Sequence, residues 1–178
     1  MYQGVIMAGF GGQGVVSGGI LMTYGGMVDG KHVTFFPAYG AEMRGGTANC
    51  SVVISSEEIA SPIVAFPDTI LVMNEPSLTK FEPTVKSGGL LFLNTSLVES
   101  RSDRSDLETI EVPANDIAAE LGNVKCANMV MIGAYMKKTG AVDLDIIKDS
   151  IGKVYVRANE AILKMNSAAI DRGAALIN

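Results

Sequence analysis

A chain of 178 residues fits one domain, and a fold of this size buries roughly 70% of the surface its unfolded chain exposes without help from disulfides. Hydrophobic residues make up 48% of the chain and charged residues only 19%, an apolar balance that calls for a broad subunit interface. The net charge of −5 argues against nucleic acid as a partner. No uncharged apolar run reaches the roughly 18 residues of a membrane span, and Met1-Tyr2-Gln3 lacks the basic residue of a secretory leader, so the expected location is the cytoplasm.

Val5 to Ala8 is an apolar run entering a glycine cluster, and Val15 to Met27 then carries Val16, Ile20, Tyr24 and Met27 at helical spacing. The pattern is strand, tight turn, helix. Val33 to Phe36, closed by Pro37, and Cys50 to Ile54 read as two further strands. Thr69 to Met73 and Leu90 to Leu93 are continuous apolar runs bounded by Pro67-Asp68, Asn74-Glu75-Pro76 and Gly88-Gly89, as buried parallel strands are. Ser100 to Asp106 is a polar loop before another strand, Leu107 to Val112. Helices follow at Asp116 to Leu121, Asn128 to Lys138 with Gly140 behind it, Leu144 to Ile151, and about Val156 to Ala175. This alternation predicts a single α/β domain over residues 1–178, three-layered and Rossmann-like, with a mainly parallel sheet.

Cys50 and Cys126 lie far apart with no CxxC, and His32 is the only histidine. These are too few ligands for an iron–sulfur cluster or a structural zinc, so no metal is expected in this chain. Both thiols read as buried apolar groups, and His32 as structural.

Gly9-Phe10-Gly11-Gly12-Gln13-Gly14 fits G-x-G-x-x-G between a predicted strand and a predicted helix. Such glycines allow a tight turn and bring backbone N–H groups toward a phosphate at the helix N-terminus. A dinucleotide-binding domain also needs an acid at the end of its second strand, yet here the strand ends Phe35-Phe36-Pro37-Ala38. Close packing of strand on helix, an anion, and a partner's loop stay open as roles for the glycines. No G-K-[ST] follows, which excludes a P-loop, and Asp29-Gly30 is only a fragment of a thiamine motif.

Tyr39-Gly40-Ala41-Glu42-Met43-Arg44-Gly45-Gly46-Thr47-Ala48-Asn49 follows the second strand, at the edge of an open sheet where ligands and partners meet. Glu42 and Arg44 bring opposite charges to a backbone freed by Gly45 and Gly46. They can lock the loop against itself, or Arg44 can meet an anion.

With Ser51-Val52-Val53-Ile54-Ser55 and the later Asn128-Met129-Val130-Met131-Ile132-Gly133, these two glycine segments resemble the gamma subunits, or gamma domains, of 2-oxoacid:ferredoxin oxidoreductases. The resemblance spans nearly the whole chain. It implies a heteromeric enzyme that oxidatively decarboxylates a 2-oxoacid to an acyl-CoA and passes electrons to ferredoxin. Thiamine diphosphate, Mg and iron–sulfur clusters would lie in alpha, beta and ferredoxin-like delta partners, with coenzyme A as co-substrate. The chain itself would be a non-catalytic structural and interface subunit, inactive when isolated, with self-association open. The resemblance favours 2-oxoglutarate, with pyruvate and branched-chain 2-oxoacids close behind. An indolepyruvate oxidoreductase subunit and a free-standing dinucleotide-binding domain are the alternatives. The expected ligand- or partner-binding residues are Gly9, Gly11, Gly12, Gln13, Gly14, Tyr39, Glu42, Arg44, Gly45, Gly46, Thr47 and Asn128.

Overall fold

The computed structural model describes residues 1–39 and 46–178. Strands β1 (Tyr2–Phe10), β2 (His32–Tyr39), β3 (Thr47–Ser55), β4 (Thr69–Val72), β5 (Leu90–Asn94) and β6 (Glu108–Val112) form one sheet in the order β2-β3-β1-β4-β5-β6. β1, β4, β5 and β6 pair in parallel, whereas β3 runs antiparallel to both β1 and β2. The sheet is thus mainly parallel, as expected, with one reversed strand near an edge.

That strand changes the logic of the dinucleotide test. The first crossover, from β1 through helix α1 (Val15–Val28) to β2, leaves a gap into which β3 folds back, with Val5 opposite Val52 and Met7 opposite Cys50. β2 is therefore not the neighbour of β1. The end of β2, which carries no ribose-binding acid, does not occupy the position it would have in a regular dinucleotide fold.

Helices α3 (Ala114–Glu120), α4 (Ala127–Thr139), α5 (Leu144–Val154) and α6 (Glu160–Ala174) join α1 in building the larger core, and helix α2 (Glu75–Phe81) helps cover the other face. The larger core packs Met7, Leu21, Cys50, Leu71, Phe92 and Tyr135, all wholly buried; the smaller holds Ile6, Ile70, Val72, Leu78, Leu91 and Leu93. The continuous apolar reading of β4 and β5 follows from this: successive side chains enter different cores, so neither face of the strand is wet.

Several boundaries differ from the sequence reading: β2, read as closed by Pro37, runs on through it to Tyr39, since an edge strand tolerates proline. Asn74-Glu75-Pro76, read only as a strand boundary, opens α2: the Asn74 side chain accepts a hydrogen bond from the Ser77 amide at 3.0 Å, and proline suits the first turn. The last helix starts at Glu160, not near Val156, because Asn159 caps it by accepting from the Ile162 amide at 2.9 Å. Val156 lies before that cap, 77% exposed.

Glycine decides how closely the helices approach. A Cβ on Gly133 of α4 would stand 2.0 Å from the Ile170 carbonyl oxygen of α6, and one on Gly173 of α6 would fall on the Val130 carbonyl. The two backbones are in direct contact. Gly133→Val should therefore cost about 3 kcal/mol or more in urea denaturation, since backbone cannot yield as a side chain can. Gly152→Ala is the control: it is exposed on α5, its Cβ meets only Leu163 at 3.9 Å, and it should stabilise by up to about 1 kcal/mol.

Candidate functional site at the carboxyl edge

β1 ends at Phe10, and the chain turns through Gly12 (φ 98°) and Gly14 (φ 74°) into α1. Both glycines hold left-handed backbone that other residues rarely adopt. The first helical bond runs from the Gly18 amide to the Gly14 carbonyl at 2.8 Å. The Val15, Val16 and Ser17 amides precede it and have no intrahelical acceptor, so they form the positive end of the helix.

The loop is held from three sides. The Gly11 amide donates to the Gly46 carbonyl at 3.1 Å, tying the loop to the start of β3. Gln13 accepts from the Phe10 amide at 2.6 Å and donates through Nε2 to the Met73 carbonyl at 3.1 Å, bracing it against the end of β4. Asn128, in the first turn of α4, donates through Nδ2 to the Gly14 carbonyl at 3.0 Å. A Cβ on Gly14 would stand 2.5 Å from that nitrogen.

Those of the expected residues that are described lie around the loop, with different tasks. Gly9 serves packing, since its Cβ would stand 2.8 Å from Met73 Cβ, and both polar ends of Gln13 are spent inside the fold. Gly11, Gly12, Gly14, Gly46, Thr47 and Asn128 surround the loop, with Thr47 opposite Phe10 in the β1–β3 ladder. The backbone of Tyr39 ends β2 opposite Ala48. Glu42, Arg44 and Gly45 lie outside the described residues.

Three cavities meet at this loop. One of about 160 Å³ lies between Gly12, Gln13, Met73, Asn115 and Lys125. It sits where β1 and β4 diverge in their connections, the switch point at which open α/β sheets take ligands. An apolar bowl of about 390 Å³ is lined by Phe10, Val15, Val16, Ile20 and Ala48. A cavity of about 180 Å³ is walled by Ser17, Asn123, Lys125, Asn128, Tyr155 and Asn166 on its polar side and by Met129 and Ile162 on its apolar side. Lys125, Tyr155 and Asn166 escaped the sequence reading, because nothing in their spacing marks them and only the folding of α4 to α6 against α1 brings them here.

The thiols and the phenol nearby are held neutral. Burial pushes the Cys50 thiol up to about 12, against weaker hydrogen bonds from Met7 and Gly19 that lower it. Burial also raises Cys126, and it raises the Tyr155 phenol in spite of Ser17 and Asn128 beside it. Among the described residues no three His, Cys, Asp or Glu side chains stand close enough to hold a metal ion. No helix among them is long and apolar enough to cross a membrane.

A family-wide profile described as pyruvate ferredoxin/flavodoxin oxidoreductase matches residues 4–176. The chain belongs to that family. Within it the chain corresponds to the gamma-type part: it is similar to the gamma subunit of a keto/oxoacid ferredoxin oxidoreductase from Geobacter sulfurreducens, with a TM-score of 0.83 and 26% identity over 98% of this chain and 97% of that one. The ketoisovalerate oxidoreductase subunit VorA of Methanothermobacter marburgensis is 38% identical over 172 residues, 96% of this chain but only 35% of that protein. The 2-oxoglutarate synthase subunit KorC of the same organism is 34% identical over 158 residues, 85% of each. This chain therefore spans about a third of the ketoisovalerate subunits it matches.

Two outcomes test the geometry. Gly14→Ala should cost about 3 kcal/mol or more, since left-handed strain adds to the collision with Asn128, whereas Gly12→Ala should cost only the strain, about 1–2 kcal/mol, as nothing lies within 4 Å of its Cβ; urea titration separates them. The Cys50 thiol should ignore a disulfide reagent at pH 8 in the folded chain and react at once in denaturant, because the thiolate it needs forms only near pH 12.

Proposed function

We propose that this chain is the gamma-type subunit of a 2-oxoacid:ferredoxin oxidoreductase and acts there as a structural and interface part. The observation that carries the reading is the family match across residues 4–176, on a fold whose carboxyl edge offers backbone amides, side-chain amides and one lysine. The raised pKa values of Cys50 and Cys126 support a non-catalytic role, since protonated thiols are poor nucleophiles and poor ligands. Two cysteines cannot hold an iron–sulfur cluster.

The chemistry then belongs to the assembled enzyme: oxidative decarboxylation of a 2-oxoacid, acyl transfer to coenzyme A and electron delivery to ferredoxin. Thiamine diphosphate, Mg and the clusters are assigned to alpha, beta and delta-type partners. 2-Oxoglutarate is the first substrate to assay, supported by the KorC relative, and ketoisovalerate stands beside it because of VorA. The glycine loop and Arg44 are assigned to the face that meets a partner subunit or coenzyme A, the free amides of α1 suiting a phosphate.

The test is reconstitution. Complex purified with this chain should reduce ferredoxin with a 2-oxoacid and coenzyme A, and the chain alone should not. Arg44→Ala should leave the stability of the free chain within about 0.5 kcal/mol, as surface changes do, while lowering turnover or coenzyme A affinity of the complex. Arg44→Lys should rescue poorly, because a point charge does not replace a bidentate fork. An Arg44→Ala chain that unfolds, with unchanged kinetics in whatever assembles, would make the Glu42–Arg44 loop a purely structural element.

A further inference from the structure

The loop from Ser56 to Pro67 joins β3 to β4 at the amino edge of the sheet, opposite the glycine loop, because β3 ends at Ser55 beside Tyr2 and β4 starts at Thr69. From Ile59 to Pro67 it carries no charged residue, yet most of it faces solvent. Ile63 is 66% exposed and Phe66 68%. The half-exposed Tyr2 ring adjoins the loop: a Cβ on Gly4 would stand 3.5 Å from Tyr2 Cε1 and 3.2 Å from Val64 Cγ1. Large apolar groups gathered this way on a surface loop mark an interaction surface.

The backbone there is as unengaged as the side chains. Among the described residues, no amide or carbonyl from Glu58 to Phe66 bonds another backbone group; the Ile63 amide reaches only Ser61 Oγ, at 3.2 Å. The loop nevertheless has a fixed seat. Val64 packs on the smaller core, the Lys86 amide donates to the Pro67 carbonyl at 3.0 Å, and the Asp68 carboxylate accepts from the Gly4 amide at 2.8 Å. Pro62 and Pro67 restrict the backbone further. A segment seated in this way presents free donors, acceptors and apolar side chains to another chain at little ordering cost.

Charge selects the occupant. Glu57 and Glu58 are exposed at the head of the loop, and neither pairs with a cation among the described residues. Asp68 and Lys86 beside it neutralise each other at 2.5 Å. A second copy meeting the loop across a two-fold axis would add two more acids to the same patch, and an anionic membrane would be repelled. We propose that residues 57–66 dock a different subunit of the enzyme, one with an apolar groove for Ile63 and Phe66 and with Lys or Arg opposite Glu57 and Glu58. The assignment rests on the reading of this chain as an interface part. It sets that partner at the amino edge and leaves the glycine loop, at the other edge, uncovered by this contact.

Hydrogen exchange on the full chain, alone and in the assembled enzyme, tests it. The amides of residues 58–66 should exchange at once in the free chain and at least about tenfold more slowly in the complex. Phe66→Ser should leave the urea midpoint of the free chain unchanged, as exposed substitutions do, and weaken assembly at least about tenfold, as loss of an aromatic anchor does. Glu57→Lys combined with Glu58→Lys should weaken assembly more in low salt than in high salt. Loop amides that stay unprotected in the complex, or a Phe66→Ser chain that assembles like the unaltered one, overturn the docking surface and leave the subunit reading intact. Protection that follows self-association of the free chain also overturns it, with a second copy as the occupant. Failure of the unaltered chain to join any oxidoreductase subunit overturns the subunit reading and the docking surface with it.

Discussion

How closely α1 lies on the sheet governs the rest of the molecule. A Cβ on Gly19 would stand 2.4 Å from the Cys50 sulfur, and one on Gly18 3.0 Å from the Met7 sulfur, so the helix rests directly on β1 and β3. Gly25 and Gly26 continue the contact toward Ile147 and Val33. Each of these glycines costs about 1 kcal/mol of helix propensity. Burial of α1 between the sheet and α5 must offset that, and in doing so it fixes where the helix starts. The position of the Val15 to Ser17 amides is a result of packing along the helix, not of the loop alone.

The carboxyl edge is framed by neutral amides. Gln13 joins the loop to β4, Asn74 caps α2, and Asn128 holds the Gly14 carbonyl. Asn94, wholly buried, accepts from the Ala114 amide at 3.2 Å and donates to Asn115 Oδ1 at 2.8 Å, seating α3 against β5. Amides satisfy backbone groups in both directions without a buried charge. The local field is then set by helix ends and by Lys125, a weak, fixed positive bias suited to holding a ligand that reacts elsewhere.

Much of the architecture could be read from the chain because β4, β5 and the glycine loop carry local signatures: unbroken apolar runs, and glycines between a strand and a helix. The reversal of β3 was hidden, since Cys50 to Ile54 has the same composition whichever way it runs and direction depends on what it pairs with. α2 was missed because Pro76 reads equally as a breaker or as a first-turn residue. At the site, Asn128 was legible only through family resemblance, and Tyr155 and Asn166 were not legible at all. Their role comes from contacts across more than a hundred residues of chain, such as that of Asn128 with Gly14.

The reversed strand also orders the sheet in time. β2 and β3 meet with only residues 40–46 between them, while β1 must wait for β4, about sixty residues away along the chain. Loop-closure entropy grows with that separation, and long-range parallel pairing is slow. The β2–β3 hairpin is therefore the pairing available earliest as the chain collapses, and it presents β3 as a ready edge on which β1 docks. One strand turned against its neighbours gives an otherwise crossover-built sheet a local nucleus.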